Sequence, residues 1–268
     1  GLFDTVIVDE ASQAGVDALL LLLLAKRIVV VGDDQQNSPE GVGVLEADLD
    51  RLQREYLGEF HFAAEYRHDT SLYDHAERAF GQPICLREHF RCVPEIICFS
   101  NELCYEAAPL IPLRQPPPDR LEPIRTKFVD RGHCTGDGQR LINRPEAEEI
   151  VAQIRACVED ERYADKTMGV IVLQGHQQAE LIENELARVL TPKVWEKHKL
   201  RCGVPATFQG DQRDVIFLSM VVAPNYDFRA LTEQEARRRF NVAMSRARDQ
   251  VWLFHSVRLE HLRPDDLR

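Results

Sequence analysis

Two short runs of β-branched residues near the start of the sequence restrict the fold more than any other feature. Residues 5–8 form an apolar run that ends in an Asp-Glu pair, and residues 28–31 form a second run that ends in Gly-Asp. Between them, residues 16–24 have the composition of a helix. Continuous apolar runs are typical of buried parallel strands, and their alternation with helices is typical of doubly wound sheets. The pattern therefore predicts two buried strands joined by a buried helix in an α/β fold.

The rest of the sequence continues this alternation. Residues 42–80 have a charged, mainly helical pattern, and residues 111–123 are proline-rich, which predicts a loop or an extended connection. The further predicted helices cover 94–106, 143–158, 177–190 and 233–247, and the further predicted strands cover 126–129, 168–173, 215–222 and 251–254. Asn143 is expected to cap its helix, because its side chain can accept a hydrogen bond from an amide of the first turn. The second half therefore predicts another parallel sheet flanked by helices.

The charge balance limits the nucleic-acid contacts that the chain can make. Lys and Arg number 33 against 44 Asp and Glu, so the net charge is −11 at neutral pH. This excludes a uniformly basic nucleic-acid coat, although it leaves room for a local basic groove. The apolar share of 44% and the charged share of 29% are those of a folded globular protein, which excludes a disordered chain.

The seven cysteines are scattered without a CxxC pair, which favours reduced thiols in a cytosolic or nuclear protein. The densest group lies within residues 85–104, with His89 among its members. Its spacing does not match the usual zinc sites, so small buried apolar thiols are favoured over a metal site there. The leucine-rich run at 19–24 is shorter than the ~20 apolar residues that cross a bilayer, so no membrane contact is expected.

Carboxylate and amide side chains follow the first two predicted strands. Asp9 and Glu10 end the first strand. An aspartate there can hold Mg²⁺, often through water, and an adjacent glutamate can orient or deprotonate an attacking water. Gln36 follows the second strand, and its amide can hydrogen-bond a phosphate oxygen and a water. An ordinary acidic loop and an ordinary polar turn are the alternatives for these two segments.

Two arginines near the carboxyl terminus share one side of a predicted helix. Arg239, Val242 and Arg246 are three or four residues apart, which places them on the same helical face. A plain surface arginine is the alternative for Arg246.

Six sequence blocks then occur in the order and spacing of known ATPase motifs. They are residues 8–13, 32–39, 90–96, 169–177, 208–214 and 239–247. In this order they resemble motif II, motif III, motif IV, the strand and turn that follow it, motif V and motif VI of superfamily 1 helicases, in the branch that includes the nonsense-mediated-decay helicase and senataxin. The resemblance implies a RecA-like P-loop NTPase fold. Residues 1–85 would be the carboxyl-terminal part of a first RecA-like domain, and residues 86–268 a complete second one.

The resemblance also implies ATP and Mg²⁺ as cofactors and assigns residues to them. Asp9 would help to bind Mg²⁺, and Glu10 would activate the hydrolytic water. Gln36 would sense the γ-phosphate. Arg91 and Arg246 would act as arginine fingers, which are worth roughly 10³ to 10⁵ in rate in P-loop enzymes.

Three further residues take roles from the motif V block or the position just before it. Gly210 would let the backbone approach the nucleotide, and Gln212 stands where the family usually has a ribose-binding glutamate. Thr207 lies in the stretch that touches the nucleic-acid backbone in relatives. Single-stranded DNA or RNA is therefore the implied partner.

Several positions depart from the family pattern. His89 and Phe90 replace the usual Gln-Tyr before the motif IV arginine, and Gln212 replaces the motif V glutamate. The sequence contains no Gly-Lys dipeptide and so no Walker A loop of the form G-x-x-x-x-G-K-[ST]. We therefore expect a carboxyl-terminal part of a longer motor that is inactive as an ATPase by itself. We also expect it to cover exposed strand edges by rearrangement or self-association.

Two other classes of function remain open. The chain could be a catalytically inactive RecA-like scaffold that binds protein partners, or a P-loop enzyme that is not a helicase. The joint presence of five polar groups typical of an ATPase cleft favours an active enzyme. Stimulation of ATP hydrolysis by single-stranded nucleic acid would separate a helicase from other P-loop enzymes.

Overall fold

The structure is a computed structural model that forms two compact units, Gly1–Leu86 and Arg87–Arg268. It describes residues 1–36, 46–61, 63, 66–67, 69–118, 120–228 and 233–262. Each unit is considered by itself.

The first unit contains a parallel pair of strands with helices. Its elements are β1 (Phe3–Val8), a 3-10 helix (Val16–Leu23), β2 (Ala25–Val30), α1 (Glu46–Leu57) and α2 (Leu72–Phe80). β1 and β2 pair in parallel, with Val6 opposite Ile28. The predicted strand–helix–strand order is therefore confirmed.

The expected burial of these elements is wrong. Ile7 in β1 is 69% exposed and Val29 in β2 is 46% exposed. The segment predicted as a buried helix over 16–24 is a 3-10 helix without a buried residue. The physical reason is that the sheet has only two strands within the described part of this unit, which is too few to enclose both faces.

α2 is fixed to the loop that follows β1. Ser71 caps the helix, because its side chain accepts from the amide of Asp74 while the Asp74 carboxylate accepts from the Ser71 amide. The amide of Leu72 donates to the carbonyl of Ala14 at 2.7 Å, and the amide of Tyr73 donates to that of Ala11 at 3.2 Å. These bonds hold the loop after β1 against the start of α2.

The second unit is built on a five-stranded parallel sheet. In chain order, its strands and helices are β3 (Glu88–His89), α3 (Pro94–Cys104), β4 (Ile111–Pro112), β5 (Ile124–Phe128), β6 (Cys134–Thr135), β7 (Ile142–Asn143), α4 (Arg144–Glu159), β8 (Met168–Val172), α5 (His176–Val189), α6 (Pro192–Lys197), β9 (Arg201–Gly203), β10 (Arg213–Ser219), α7 (Gln234–Ser245) and β11 (Ala247–His255). The order across the large sheet is β5-β11-β10-β8-β9, and every neighbouring pair is parallel. β3 pairs with β4, and β6 pairs with β7.

Helices cover both faces of this sheet. Val215 and Phe217 of β10 pack with residues of α4 and α5 in one buried cluster, whereas Ile216 and Leu218 pack with residues of α3 and α7 in another. This alternation follows from the two-residue period of a strand. The predicted α/β class, a parallel sheet flanked by helices, is confirmed for this unit.

The predicted helices and strands of this unit are present, with small shifts at their ends. Asn143 caps α4 as predicted, because its side-chain oxygen accepts from the amide of Glu146 at 3.2 Å. The sequence analysis did not predict α6, β9 or the two-residue strands β3, β4, β6 and β7. β9 has only three residues and pairs with β8 alone, so it leaves no apolar run that a sequence pattern could reveal.

The cysteines of residues 85–104 correct one expectation. Cys92 is buried as predicted, but Cys85 and Cys98 are exposed and Cys104 is half-buried. Across the described segments, no cluster of three or more His, Cys, Asp or Glu side chains could hold a metal ion. Nor does any helix there have both the length and the apolar character that a membrane span needs.

Candidate functional site

The carboxyl ends of β1 and β2 bring two candidate segments side by side in the first unit. The amide of Val31 donates to the carbonyl of Val8 at 2.8 Å, and the amide of Ala11 donates to that of Val31 at 2.9 Å. The loop that carries Asp9 and Glu10 therefore leaves the sheet beside the loop that leads to Gln36. This is the edge at which open α/β sheets bind ligands.

The two acidic residues are exposed, and their backbone is strained at one position. Glu10 has a φ of 54°, in the left-handed region that non-glycine residues rarely adopt. Its amide donates to Oδ1 of Asp9 at 2.9 Å, and its Oε2 accepts from Nε2 of Gln13, also at 2.9 Å. Strain of this kind is concentrated at functional sites, which accords with the role expected for Glu10.

Gln36 is held by a carboxylate of its own loop. Its Nε2 donates to Oδ2 of Asp33 at 2.8 Å, and the amide of Gln35 donates to Oδ1 of Asp33 at 2.9 Å. The aspartate thus orients the amide group that the sequence analysis singled out. Residues 37–39, the remainder of the motif III block, lie outside the described residues.

Gly32 permits α2 to approach these loops. A Cβ atom at this position would lie 2.7 Å from Cδ2 of Tyr73 and 3.0 Å from the amide nitrogen of Ser12. Burial raises the pKa of the Tyr73 hydroxyl, and Asp34, Glu77 and other nearby acids raise it further. The Tyr73 ring therefore packs as a neutral group directly beneath the polar loop.

The donor set of the first unit fits Mg²⁺. Asp9 uses Oδ1 for the amide of Glu10, and carboxylate oxygens are the hard ligands that this ion prefers. Mg²⁺ usually takes one or two carboxylates and completes its shell with water and substrate phosphates. Asp9 alone could therefore hold the ion without a dedicated metal cluster.

In the second unit, Arg91 meets the carboxyl end of α7. Nη1 of Arg91 donates to the carbonyl of Ser245 at 3.4 Å, and Sγ of Cys92 donates to the same carbonyl at 3.4 Å. The amide of Val93 donates to the carbonyl of Arg248 at 2.9 Å. A cation is favoured at this end of a helix, because the unpaired carbonyls carry partial negative charge. The structure thus joins the motif IV block to the motif VI block.

Arg246 is the residue that directly follows Ser245. It is only 1% exposed, so the alternative of a plain surface arginine is wrong. Its carbonyl accepts from the amide of Arg213 at 3.0 Å, which ties it to the first residue of β10. Burial raises the pKa of the Cys92 thiol to about 12, although Arg91, Arg114 and Arg246 all act to lower it. All three guanidinium groups are therefore near enough to this buried thiol to act on its pKa.

His89 supports the same turn from its other side. Nε2 of His89 accepts from the amide of Cys92 at 3.1 Å. Burial, together with the nearby charge of Arg91, lowers the pKa of His89 to about 4, so the ring is neutral at pH 7. A glutamine in the family motif could accept the same bond through its amide oxygen. The replacement therefore preserves a hydrogen-bond acceptor.

The motif V residues lie in the segment that leads into β10. Oγ1 of Thr207 accepts from the amide of Val204 at 3.3 Å. Gly210 has a φ of 69°, and nothing lies within 4 Å of an added Cβ, so its backbone faces open space. Gln212 is exposed, and its amide donates to Oδ1 of Asp211 at 2.8 Å. Gln212 directly precedes Arg213, whose amide donates to the carbonyl of Arg246. Motifs V and VI therefore meet at the amino ends of β10 and β11.

Two residues escaped the sequence analysis. Arg114, within the proline-rich segment, donates from Nη1 to the carbonyl of Arg91 at 3.0 Å. Glu146 is fully buried: its Oε1 accepts from Oγ of Ser219 at 2.6 Å and from the amide of Val221 at 2.9 Å. Burial raises the pKa of Glu146 to about 7. A glutamate three residues after a helix cap usually signals an exposed capping box, so its burial had no sequence signal.

Comparison with known proteins places the second unit in a family. A family model described as an AAA domain matches residues 68–258, more than two thirds of the chain. The chain belongs to the AAA domain family. Of the candidate residues, the AAA domain match includes Arg91, Thr207, Gly210, Gln212 and Arg246, and it begins after Asp9, Glu10 and Gln36.

Two curated proteins are similar over nearly the whole chain. The uncharacterized ATP-dependent helicase MG140 of Mycoplasma genitalium is 26% identical over 277 residues, covering 97% of this chain and 24% of that protein. The MG140 homolog of Mycoplasma pneumoniae is 26% identical over 274 residues, covering 96% of this chain and 23% of that protein. The AAA domain chain therefore spans about a quarter of the length of these relatives.

Two solved structures are also similar to the AAA domain chain. The PRRSV helicase is 15% identical with a TM-score of 0.43, covering 96% of this chain and 36% of that one. The arterivirus nonstructural protein 10 helicase, solved with DNA, is 13% identical with a TM-score of 0.37, covering 94% of this chain and 40% of that one.

Proposed function

We propose that the chain is the carboxyl-terminal motor portion of an ATP-dependent superfamily 1 helicase or translocase, in the branch of the nonsense-mediated-decay helicase and senataxin. The observation that carries this proposal is the junction of Arg91 with the carboxyl end of α7, one residue before the buried Arg246. This bond holds Arg91 against the backbone of the segment that carries Arg246, and arginine is the side chain best suited to bind a phosphoryl group. Membership of the AAA domain family and the names of the two mycoplasma relatives support the same function.

The proposed division of labour follows the two units. Residues 1–85 would be the carboxyl-terminal part of a first RecA-like domain, and residues 86–268 a second one. In the first, Asp9 would hold Mg²⁺, which neutralises phosphate charge, while Glu10 would orient and deprotonate water and Gln36 would sense the γ-phosphate. In the second, Arg91 and Arg246 would stabilise the charge of the transferring phosphoryl group.

Two of the remaining candidates would contact the nucleotide, and the third would contact the nucleic acid. Gly210 exposes backbone that can approach a nucleotide closely, and Gln212 would contact the ribose by hydrogen bonds without a charge. Thr207 would touch the backbone of single-stranded DNA or RNA. Because the net charge of the chain is −11, contacts with the nucleic-acid phosphates would be restricted to a local part of its surface.

The decisive experiment measures ATP hydrolysis by the natural protein that contains this chain, with and without single-stranded nucleic acid. We expect stimulated hydrolysis that Glu10→Gln abolishes, since glutamine can keep the hydrogen bond from Gln13 but cannot act as a base. Asp17→Asn is the matched control, because Asp17 is an exposed carboxylate in the same unit. Hydrolysis that survives Glu10→Gln would refute the assignment. A natural protein that has a Walker A loop but never hydrolyses ATP would favour the inactive scaffold.

The chain by itself should behave differently. Without a Walker A loop in its sequence, it should hydrolyse no ATP above background. Its exposed apolar side chains, among them Ile7 and Leu23, support self-association of the isolated chain. Light scattering that finds only monomer would contradict the second expectation, and robust ATPase activity would contradict the first.

A further inference from the structure

We propose that Arg114 is a positioning residue that locks the segment carrying Arg91 to the segment carrying Arg246. The proposal rests on the function proposed above for these two arginines. Arg114 belongs to none of the motif blocks, and it lies in the segment that the sequence predicts to be a plain proline-rich loop.

Three contacts of one guanidinium group carry the inference. Nη1 of Arg114 donates to the carbonyl of Arg91 at 3.0 Å and to the carbonyl of Arg248 at 2.5 Å. Nη2 forms an ion pair with Oδ1 of Asp249 at 2.5 Å. The first carbonyl belongs to one candidate finger itself, and the second lies two residues beyond the other, Arg246. Arg114 therefore connects two segments that are far apart in sequence.

The surroundings of Arg114 make this connection stiff. Its side chain is 17% exposed, and that of Asp249 is 4% exposed. At this burial the ion pair is screened by little water, so it holds the guanidinium group against Asp249. The same group then donates to both carbonyls from a fixed place. Lysine could keep the ion pair, but its single ammonium group lacks the fork that serves three acceptors.

The two segments also contact each other directly. The amide of Val93 donates to the carbonyl of Arg248, and Nη1 of Arg91 donates to the carbonyl of Ser245. Arg114 lies across this junction and would prevent the two segments from sliding. Misplacement of a catalytic group by about 1 Å can cost ~10²-fold in rate.

Lys166 provides a matched control. Its Nζ pairs with Oδ2 of the same Asp249 at 3.0 Å, and its side chain is 19% exposed. The described structure gives it no contact with the carbonyls of Arg91 or Arg248. Loss of either cation therefore leaves Asp249 with one partner, whereas only the loss of Arg114 releases the junction.

The first test compares Arg114→Met, Arg114→Lys and Lys166→Met in the natural protein that contains this chain. We expect Arg114→Met to lower kcat about 100-fold, with KM for ATP changed by less than about threefold. Lys166→Met should keep kcat within about threefold of the parent value. It should lower Tm by about as much as Arg114→Met does. Arg114→Lys should lie between them. Equal losses of kcat in the two methionine variants would mean that Arg114 only neutralises Asp249, and would overturn the proposal.

The second test needs no activity. Labelling of Cys92 by a thiol reagent, followed by peptide mass spectrometry, reports the opening of the junction, because this thiol is buried beneath it. We expect labelling about tenfold faster in Arg114→Met and within about twofold of the parent in Lys166→Met. Unchanged labelling in Arg114→Met overturns the proposal. If Arg114→Met does not fold, Arg114→Lys must show faster labelling. A parent protein without ATPase activity would refute the proposed function, while the labelling result would still decide the role of Arg114.

Discussion

Replacement of Glu146 by glutamine should change how the stability of the second unit depends on pH. Glu146 is fully buried, and burial raises its pKa from 4.5 to about 7, against the opposing hydrogen bonds from Ser219 and Val221. Each pKa unit corresponds to about 1.4 kcal/mol. The rise of this pKa from 4.5 to about 7 therefore makes the buried charge cost roughly 3 kcal/mol above pH 7.

The sign follows from proton binding. Between pH 4.5 and 7 the folded state binds more protons at Glu146 than the unfolded state does. The contribution of Glu146 to stability is therefore complete below pH 4.5 and is lost as the pH rises through about 7. Glutamine can accept the same hydrogen bonds through Oε1 and is neutral throughout. The free energy of unfolding of Glu146→Gln, relative to the parent, should thus rise by about 3 kcal/mol from pH 4.5 to pH 8.

Urea denaturation at several pH values, followed by tryptophan fluorescence, measures this difference. Both tryptophans, Trp195 and Trp252, lie in the second unit and pack in or against the same buried cluster as α4. Subtraction of the parent curve removes the contributions of other titrating groups, including His89, whose lowered pKa acts in the opposite direction. A difference between variant and parent that is the same at pH 5 and at pH 8 would refute the reasoning.

Three other substitutions have defined outcomes. Gly32→Ala should destabilise the first unit by about 1–3 kcal/mol, because the new Cβ would meet the Tyr73 ring at 2.7 Å; urea denaturation of the chain measures the loss, and unchanged stability would contradict it. His89→Ala should lower the ATPase rate of the natural protein about tenfold by removing the acceptor of the Cys92 amide, whereas His89→Gln should keep it; equal rates in the two variants would show that the bond is unimportant. Asn143→Ala should cost about 2–4 kcal/mol, since it removes a helix cap and two buried hydrogen bonds of the side-chain amide; a loss below 1 kcal/mol in denaturant titrations would disprove this.

The principal helices and strands of the second unit could be predicted because their sequence signals are local. The cap at Asn143 and the apolar run at 168–173 each specify an element within one short window. The burial of the first unit could not be predicted in this way. An apolar run such as 5–8 favours burial, but other elements must pack on the strand to bury it. The exposed fraction of the Ile7 side chain therefore depends on which elements pack against the strand.

The candidate site shows the same division. Arg91 and Arg246 could be selected from sequence because they stand in recognisable blocks, and their roles stay predictions. Arg114 and Asp249 could not be selected, because they come into contact only when two segments that are far apart in sequence pack together in the fold. The sequence shows only that His89 stands where the family motif has glutamine, whereas the structure shows that its ring accepts a hydrogen bond from the Cys92 amide.

The connection between α7 and β11 has no slack. The helix ends at Ser245 and the strand begins at Ala247, so Arg246 is the whole linker. Inserting one residue would either rotate the helix end by ~100° or slip the strand by one position, which turns its inward side chains outward. Deleting one would pull Arg213 and β10 out of line through their bond to the Arg246 carbonyl. The length of this stretch is therefore closed to change in any descendant of this sequence.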